Sequence, residues 1–221
     1  MNRSRNQTVR FGVVVYDGVE PIDIGGTVGV LSMASRLLPN VEVVVIGAKV
    51  GVATLAGELT IAVPYGFDDA PACDVFIVCG GPGWRVEVKN EQMLSFLRRQ
   101  RPETLASVCT GALILAAAGL LDGRSATTRR AAVGSEDTAP LQLLQNYASR
   151  ITPLEAVVVD CGIVTGGGVS LAIDTTLYLI GKFYGQNARD EVARLIEYDR
   201  AYAANCAALG TFDPRAAPGR P

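Results

Sequence analysis

Four short runs of this chain are apolar almost throughout and rich in β-branched residues. They are Phe11-Gly12-Val13-Val14-Val15-Tyr16, Val41-Glu42-Val43-Val44-Val45-Ile46, Asp74-Val75-Phe76-Ile77-Val78-Cys79 and Leu105-Ala106-Ser107-Val108. A strand that lacks alternation of polar and apolar residues has both faces covered, and only a sheet with layers on both sides covers them. Between the runs lie stretches with helical spacing: Val28 to Leu38, Gln92 to Arg101 and Ala112 to Leu121. Strand and helix in alternation predict an α/β layered sheet.

The rest of the chain fits this plan. Two β-like pieces between Val52 and Ile61 flank Gly57 and predict a small hairpin. A helix is expected over Pro140 to Tyr147, and a second hairpin pairs Val157-Val158-Val159 with Ile163-Val164-Thr165. Gly166-Gly167-Gly168 then reads as a close packing site leading into a long helix from Val169 to Tyr184, with a last helix from Ala188 to Ala204. Residues 1–10 and 210–221 read as loose tails. A length of 221 residues without repeat or linker suits a single domain over 1–221.

The longest apolar helical run is too short for a bilayer, and the polar N-terminus lacks the apolar segment of a signal peptide. A net charge of −2 gives no electrostatic reason to expect nucleic acid. Five cysteines without a Cys-x-x-Cys pair read as reduced thiols. The expectation is a cytoplasmic protein with no membrane or nucleic-acid partner.

Cys109 ends the fourth run, and Thr110-Gly111 leads at once into the Ala/Leu-rich helix. A residue at a sharp strand-to-helix turn is often strained, and the following helix offers it free N–H groups and a positive dipole end. Both favour a thiolate, so Cys109 is the candidate nucleophile. A free cysteine is also a small buried apolar residue; the position of this one is what favours chemistry. The chain has no histidine, which excludes imidazole-based triads and histidine-ligated metal. Proton transfer then falls to a carboxylate, hydroxyl, thiol, lysine or water.

Ligands in open α/β sheets sit beyond the carboxyl ends of the strands. Three loops there are unusual: the one carrying Asp23 after the first strand, Gly80-Gly81-Pro82-Gly83-Trp84 after the third, and Cys109-Thr110 after the fourth. Asp23 also reads as a helix N-cap or turn residue, with Asp17 and Glu20 as competing carboxylates. Buried beside a thiolate, Asp23 has its pKa raised and serves as a proton donor. Gly80 and Gly81 read either as a plain turn or as backbone N–H donors to developing charge. Trp84 reads as packing or as the cap of a substrate pocket. The G-x-G-x-x-G dinucleotide spacing is missing.

These stretches resemble the ThiJ/PfpI superfamily. The likeness rests on Tyr16-Asp17-Gly18-Val19 with Asp23, on Cys79-Gly80-Gly81-Pro82-Gly83, on the segment from Val108 to Thr128, and on Val164 to Val169 and Ile196 to Asp199. It implies a three-layer sandwich, a mostly parallel central sheet with helices on both faces, of the flavodoxin-like and class I glutamine amidotransferase-like kind. Within the superfamily the chain is most similar to isonitrile hydratases, which add water to an isonitrile to give an N-substituted formamide. That likeness implies Cys109 as nucleophile, Asp23 as its acid–base partner and Thr110 as a helper. It also implies charge-holding N–H groups near Gly81 and Thr110, a homodimer, a small-molecule substrate and no metal or organic cofactor. The chain departs from the pattern at Gly25-Gly26-Thr27, at Cys79 and at Arg129, where relatives usually carry Gly-Pro, proline and histidine. Rival expectations are a glyoxalase- or deglycase-like hydratase acting on small carbonyls, and a ligand- or redox-sensing module akin to the sensor part of AraC-type regulators. The short stretch after Asp199 holds no basic recognition helix, which ranks the sensor behind the enzymes.

Overall fold

The computed structural model describes residues 8–147 and 150–215. In chain order the elements begin with β1 (Val9–Val14), α1 (Pro21–Ile24), α2 (Val30–Ala34), β2 (Val41–Ile46), β3 (Gly51–Thr54) and β4 (Thr60–Val63). Next come β5 (Val75–Val78), α3 (Trp84–Glu87), α4 (Glu91–Arg98), β6 (Leu105–Ser107), α5 (Gly111–Ala117), β7 (Ser125–Ala126) and α6 (Pro140–Leu143). The last are β8 (Thr152–Pro153), β9 (Val158–Asp160), β10 (Val164–Gly166), α7 (Leu171–Tyr184), α8 (Gln186–Leu195), α9 (Asp199–Leu209) and β11 (Thr211–Phe212).

A seven-stranded sheet runs β11-β9-β10-β6-β5-β1-β2. Its pairings are parallel except for the hairpin β9–β10, which aligns Val164 with Asp160 and Gly166 with Val158. The two central strands, β5 and β6, are buried at every residue, as unbroken apolar runs require. Helices α3, α4 and α5 pack as one group against β5 and β6; α2, α7 and α8 form the other group. The result is the α/β sandwich that the alternation of strand and helix predicts. Phe11, Leu31, Ile77, Leu97, Leu113 and Ile114 are among its fully buried side chains, and burying each such side chain stabilises by roughly 1.5–3 kcal/mol.

Four expectations need correction. The helix expected from Val28 begins earlier, at Pro21, and passes through a π-turn at Gly25–Gly29. That turn is held from outside: the Thr176 hydroxyl on α7 donates to the Gly26 carbonyl at 2.7 Å. The helix expected to reach Leu121 stops at Ala117. The single last helix is two, broken where Glu197 takes φ 54° and the Tyr198 hydroxyl reaches the buried Asp174 at 2.9 Å. The tails are not loose where they are described. Val9 and Arg10 begin β1, and Thr211–Phe212 pair with β9 as an edge strand. The parts of those tails at 1–7 and 216–221 lie outside the described residues.

Candidate functional site

The strand ends of β1, β5, β6 and β10 meet at one point. Cys109 occupies the turn from β6 into α5 with φ 50°, the strained backbone expected of a sharp strand-to-helix turn. Its N–H donates to the Gly167 carbonyl at 3.0 Å, and the Thr128 hydroxyl donates to its carbonyl at 2.5 Å. The loop after β5 presses directly on this turn. A Cβ added to Gly80 would lie 2.4 Å from the Thr110 nitrogen and 2.7 Å from the Cys109 Cβ, so only glycine fits there.

Asp23, on α1, is fully buried. Its Oδ2 accepts the Gly80 N–H at 2.7 Å, while Oδ1 is buried without a partner. Burial raises the Asp23 carboxyl from its ordinary 3.8 to about 7, against the Gly80 hydrogen bond, which works the other way. Gly80 therefore sits between the two groups that the sequence pairs: its N–H holds Asp23, and its Cα abuts Cys109. Asp17, a competing carboxylate, ties a loop instead by accepting the Thr54 N–H at 2.8 Å.

The thiol corrects one expectation. Rather than being held as a thiolate, Cys109 is pushed up to about 12, first by burial and then by the Asp23 carboxylate. Backbone N–H groups of Val169 and Thr110 face the sulfur and work in the opposite direction, but they do not prevail. A strained turn and a helix start supply donors; burial beside a carboxylate outweighs them. Near neutrality the Cys109 thiol therefore keeps its proton, and the group that gains or loses one in this range is the Asp23 carboxyl.

Of the expected donors the Thr110 N–H faces the sulfur, while those of the glycine loop are engaged elsewhere. The Gly80 N–H is taken by Asp23, and the Gly81 N–H donates to the Thr110 hydroxyl oxygen at 2.9 Å. The Thr110 side chain thus ties the glycine loop to the cysteine turn, and its backbone N–H faces the sulfur. The second N–H at the sulfur belongs to Val169, which takes φ 59°, an outlier for a β-branched residue. Nothing in its side chain announces that role; the triple glycine before it is the only sequence signal.

A cavity of about 480 Å³ opens over Cys109 and Thr110. Gly81, Pro82 and Trp84 line one side, as the glycine-loop reading expects, and Ile22, Val133 and Val169 add apolar surface. The charged groups on its wall are Glu20, Arg129 and Glu136. Cys79, the second thiol near the glycine loop, is fully buried in the core, with its sulfur 4.0 Å from the Thr27 hydroxyl. All five cysteines are free. Among the described residues, no helix is long and apolar enough to cross a membrane.

Comparison with known proteins bears on the fold and the family. The chain is 32% identical over 192 residues to an isonitrile hydratase of Pseudomonas putida, covering 86% of this chain and 78% of that one. It is 34% identical over 144 residues to the HTH-type transcriptional regulator GbdR of Pseudomonas aeruginosa, a match spanning 64% of this chain but only 37% of the regulator. Among solved structures, a ThiJ/PfpI family protein from Pseudomonas syringae superposes with a TM-score of 0.70 at 22% identity, over 92% of this chain and 88% of that one. Drosophila melanogaster DJ-1beta superposes with a TM-score of 0.69 at 18% identity, over 86% and 98%. Residues 9–182, which contain the sheet's central strands and every side chain of the cavity, match the DJ-1/PfpI family, and the chain belongs to it.

Proposed function

We propose that the protein is a hydro-lyase of the isonitrile hydratase type, converting R–N≡C and water to the formamide R–NH–CHO. The observation that carries this reading is the buried, half-unpartnered Asp23 carboxyl set against the turn of Cys109 through Gly80. The similarity to the Pseudomonas putida isonitrile hydratase supports the choice of reaction.

Isonitriles accept a nucleophile and a proton on the same terminal carbon, and a protonated thiol beside an ionised carboxylate supplies both. The Cys109 sulfur bonds to the isonitrile carbon while its proton passes to Asp23 and on to that carbon, giving the thioimidate R–N=CH–S–Cys109. Water then adds to this carbon, and one of its protons passes through Asp23 to the nitrogen. The carbon–sulfur bond breaks, the remaining hydroxyl proton passes by way of Asp23 to sulfur, and the formamide leaves. Splitting the hydration in two lets the one carboxyl serve both steps. The Thr110 and Val169 N–H groups hold charge on sulfur as it departs. In this reading Trp84 and Gly81 bound the substrate, no cofactor or metal takes part, and the protein acts on a small molecule as a cytoplasmic homodimer.

The test is formamide production from cyclohexyl isonitrile by purified protein. Wild type is expected to turn over, Cys109→Ala to form none, and Asp23→Asn to lose at least about 100-fold in kcat. No formamide from wild type, or unchanged turnover by Cys109→Ala, defeats the reading; methylglyoxal consumption in its place would favour a carbonyl hydratase. The regulator match supports a second reading, in which the same cavity senses a ligand without converting it. Tight isonitrile binding without product would favour that one.

A further inference from the structure

Arg129 stands on the cavity wall beside the thiol, yet its Nη donors are taken up by groups of its own loop. Its Nη2 donates to both Glu136 carboxylate oxygens at 2.8 Å, and its Nη1 donates to the Ala131 carbonyl. The Arg129 and Glu136 side chains are only 11% and 13% exposed. Glu136 is held in turn by the Val133 N–H at 3.0 Å and by Arg85 at 3.3 Å. Burial opposes its ionisation, but the hydrogen bonds from Arg129 and Val133 outweigh that and keep its pKa below the ordinary value. Both bonds to Glu136 come from the one nitrogen, Nη2, and charge-assisted hydrogen bonds of this kind are stronger than neutral ones. The remaining charge on the wall is Glu20, so the lining carries one more carboxylate than cation. Ile22, Val133 and Val169 add exposed apolar surface.

We infer that Glu136 is a specificity-determining residue: by occupying Arg129 it hides the cation nearest the thiol, so that the cavity accepts uncharged molecules with an apolar substituent and rejects those bearing a carboxylate. An unmasked guanidinium in a half-enclosed cavity would do the opposite. It would attract anions strongly, because charges interact more in a water-poor site than in bulk. Arg129 already bears on both reacting groups, lowering the pKa of Asp23 and of Cys109. As a statement about substrates this rests on the isonitrile hydratase reading; as a statement about the charge of the cavity it stands without it.

The experiment therefore has two arms. In the first, Cys109 alkylation by neutral iodoacetamide and by anionic iodoacetate is followed by peptide mass spectrometry. Wild type should favour the amide. Glu136→Gln, which keeps the side-chain shape and removes the charge, should raise the iodoacetate-to-iodoacetamide rate ratio by about tenfold or more. Arg129→Gln should lower it, and the double variant should return towards wild type. Ratios within about twofold of wild type in both single variants, or moving the same way in both, overturn the inference. Taking the ratio cancels any change in the reactivity of the thiol itself. In the second arm, ethyl isocyanoacetate and isocyanoacetate are compared as substrates, and kcat/KM should shift towards the anion in Glu136→Gln. If no isonitrile is hydrated by any form, the proposed activity fails while the alkylation ratios still decide the charge assignment.

Discussion

Asp23 shows how one residue couples chemistry to stability. Its carboxyl is raised from 3.8 to about 7 because folding strips it of water. The folded chain therefore binds this proton more tightly than the unfolded chain. The stability it contributes is full below the unfolded value and is lost as pH rises through about 7. Asp23→Asn has no proton to lose, so at pH 8 it should be more stable than wild type by up to about 4 kcal/mol, with little difference at pH 4. Urea unfolding at the two pH values checks this, and parallel pH profiles for both proteins would contradict it. The same proton shapes activity. Below about 7 the Asp23–Cys109 pair carries two protons and the sulfur has no acceptor for its own. Isonitrile kcat/KM should thus climb about tenfold per pH unit below 7 and level off above it; a flat profile from pH 5 to 8 would exclude Asp23 from the proton path.

The same pair marks how far the sequence reaches. Cys109, Asp23 and Trp84 were legible because strand ends and loop composition announce them. The resting protonation of Cys109 was not. It depends on how deeply other loops bury the site, which no local spacing reveals. The masked Arg129 was equally hidden, since its partner lies seven residues on in a loop without a motif.

At the level of elements, the four apolar runs became β1, β2, β5 and β6 because burial on both faces leaves an unmistakable mark. The features that escaped are those dictated by distant contacts. The π-turn depends on Thr176, 150 residues away from the carbonyl it binds, and the break between α8 and α9 is tied to Asp174 on α7. β11 has only two residues, both exposed, and so carries no periodicity at all. The junction of β6 and α5 gives a prediction of its own. A Cβ on Gly111 would lie 2.1 Å from the Val78 carbonyl oxygen, a backbone atom that cannot swing aside. Gly111→Ala should destabilise by at least about 2 kcal/mol in urea unfolding. Gly119→Ala, where nothing lies within 4 Å and the penalty is only the backbone φ of 78°, should lose about 1 kcal/mol. Equal losses would show that the close approach at Gly111 relaxes freely.

Across the whole molecule, the sheet's far margin is fastened by charge. Asp160, at the end of β9, is fully buried and meets Lys182 of α7 at 2.8 Å and Arg215, just beyond β11, at 2.5 Å. The Tyr178 hydroxyl adds a hydrogen bond at 3.0 Å. Removing both cations leaves a buried carboxylate with only neutral donors, so Lys182→Met/Arg215→Met should lose about 3 kcal/mol. Lys182→Met alone should lose much less, because Arg215 remains. Thermal unfolding of the two variants checks the order, and a double variant as stable as the single one would show that the fastening is dispensable.

The meeting of four strand ends at the thiol has one more consequence. The amide of Cys109 is bonded to Gly167 and its sulfur faces Val169, while Gly80 and Asp23 close it from the other side. These partners come from the first, middle and last thirds of the matched region, so no contiguous fragment assembles the reaction centre early. Shielding of this one sulfur during refolding is therefore a stopwatch for the final docking of the chain, and a trapped intermediate would betray itself by a thiol that still reacts as though in open water.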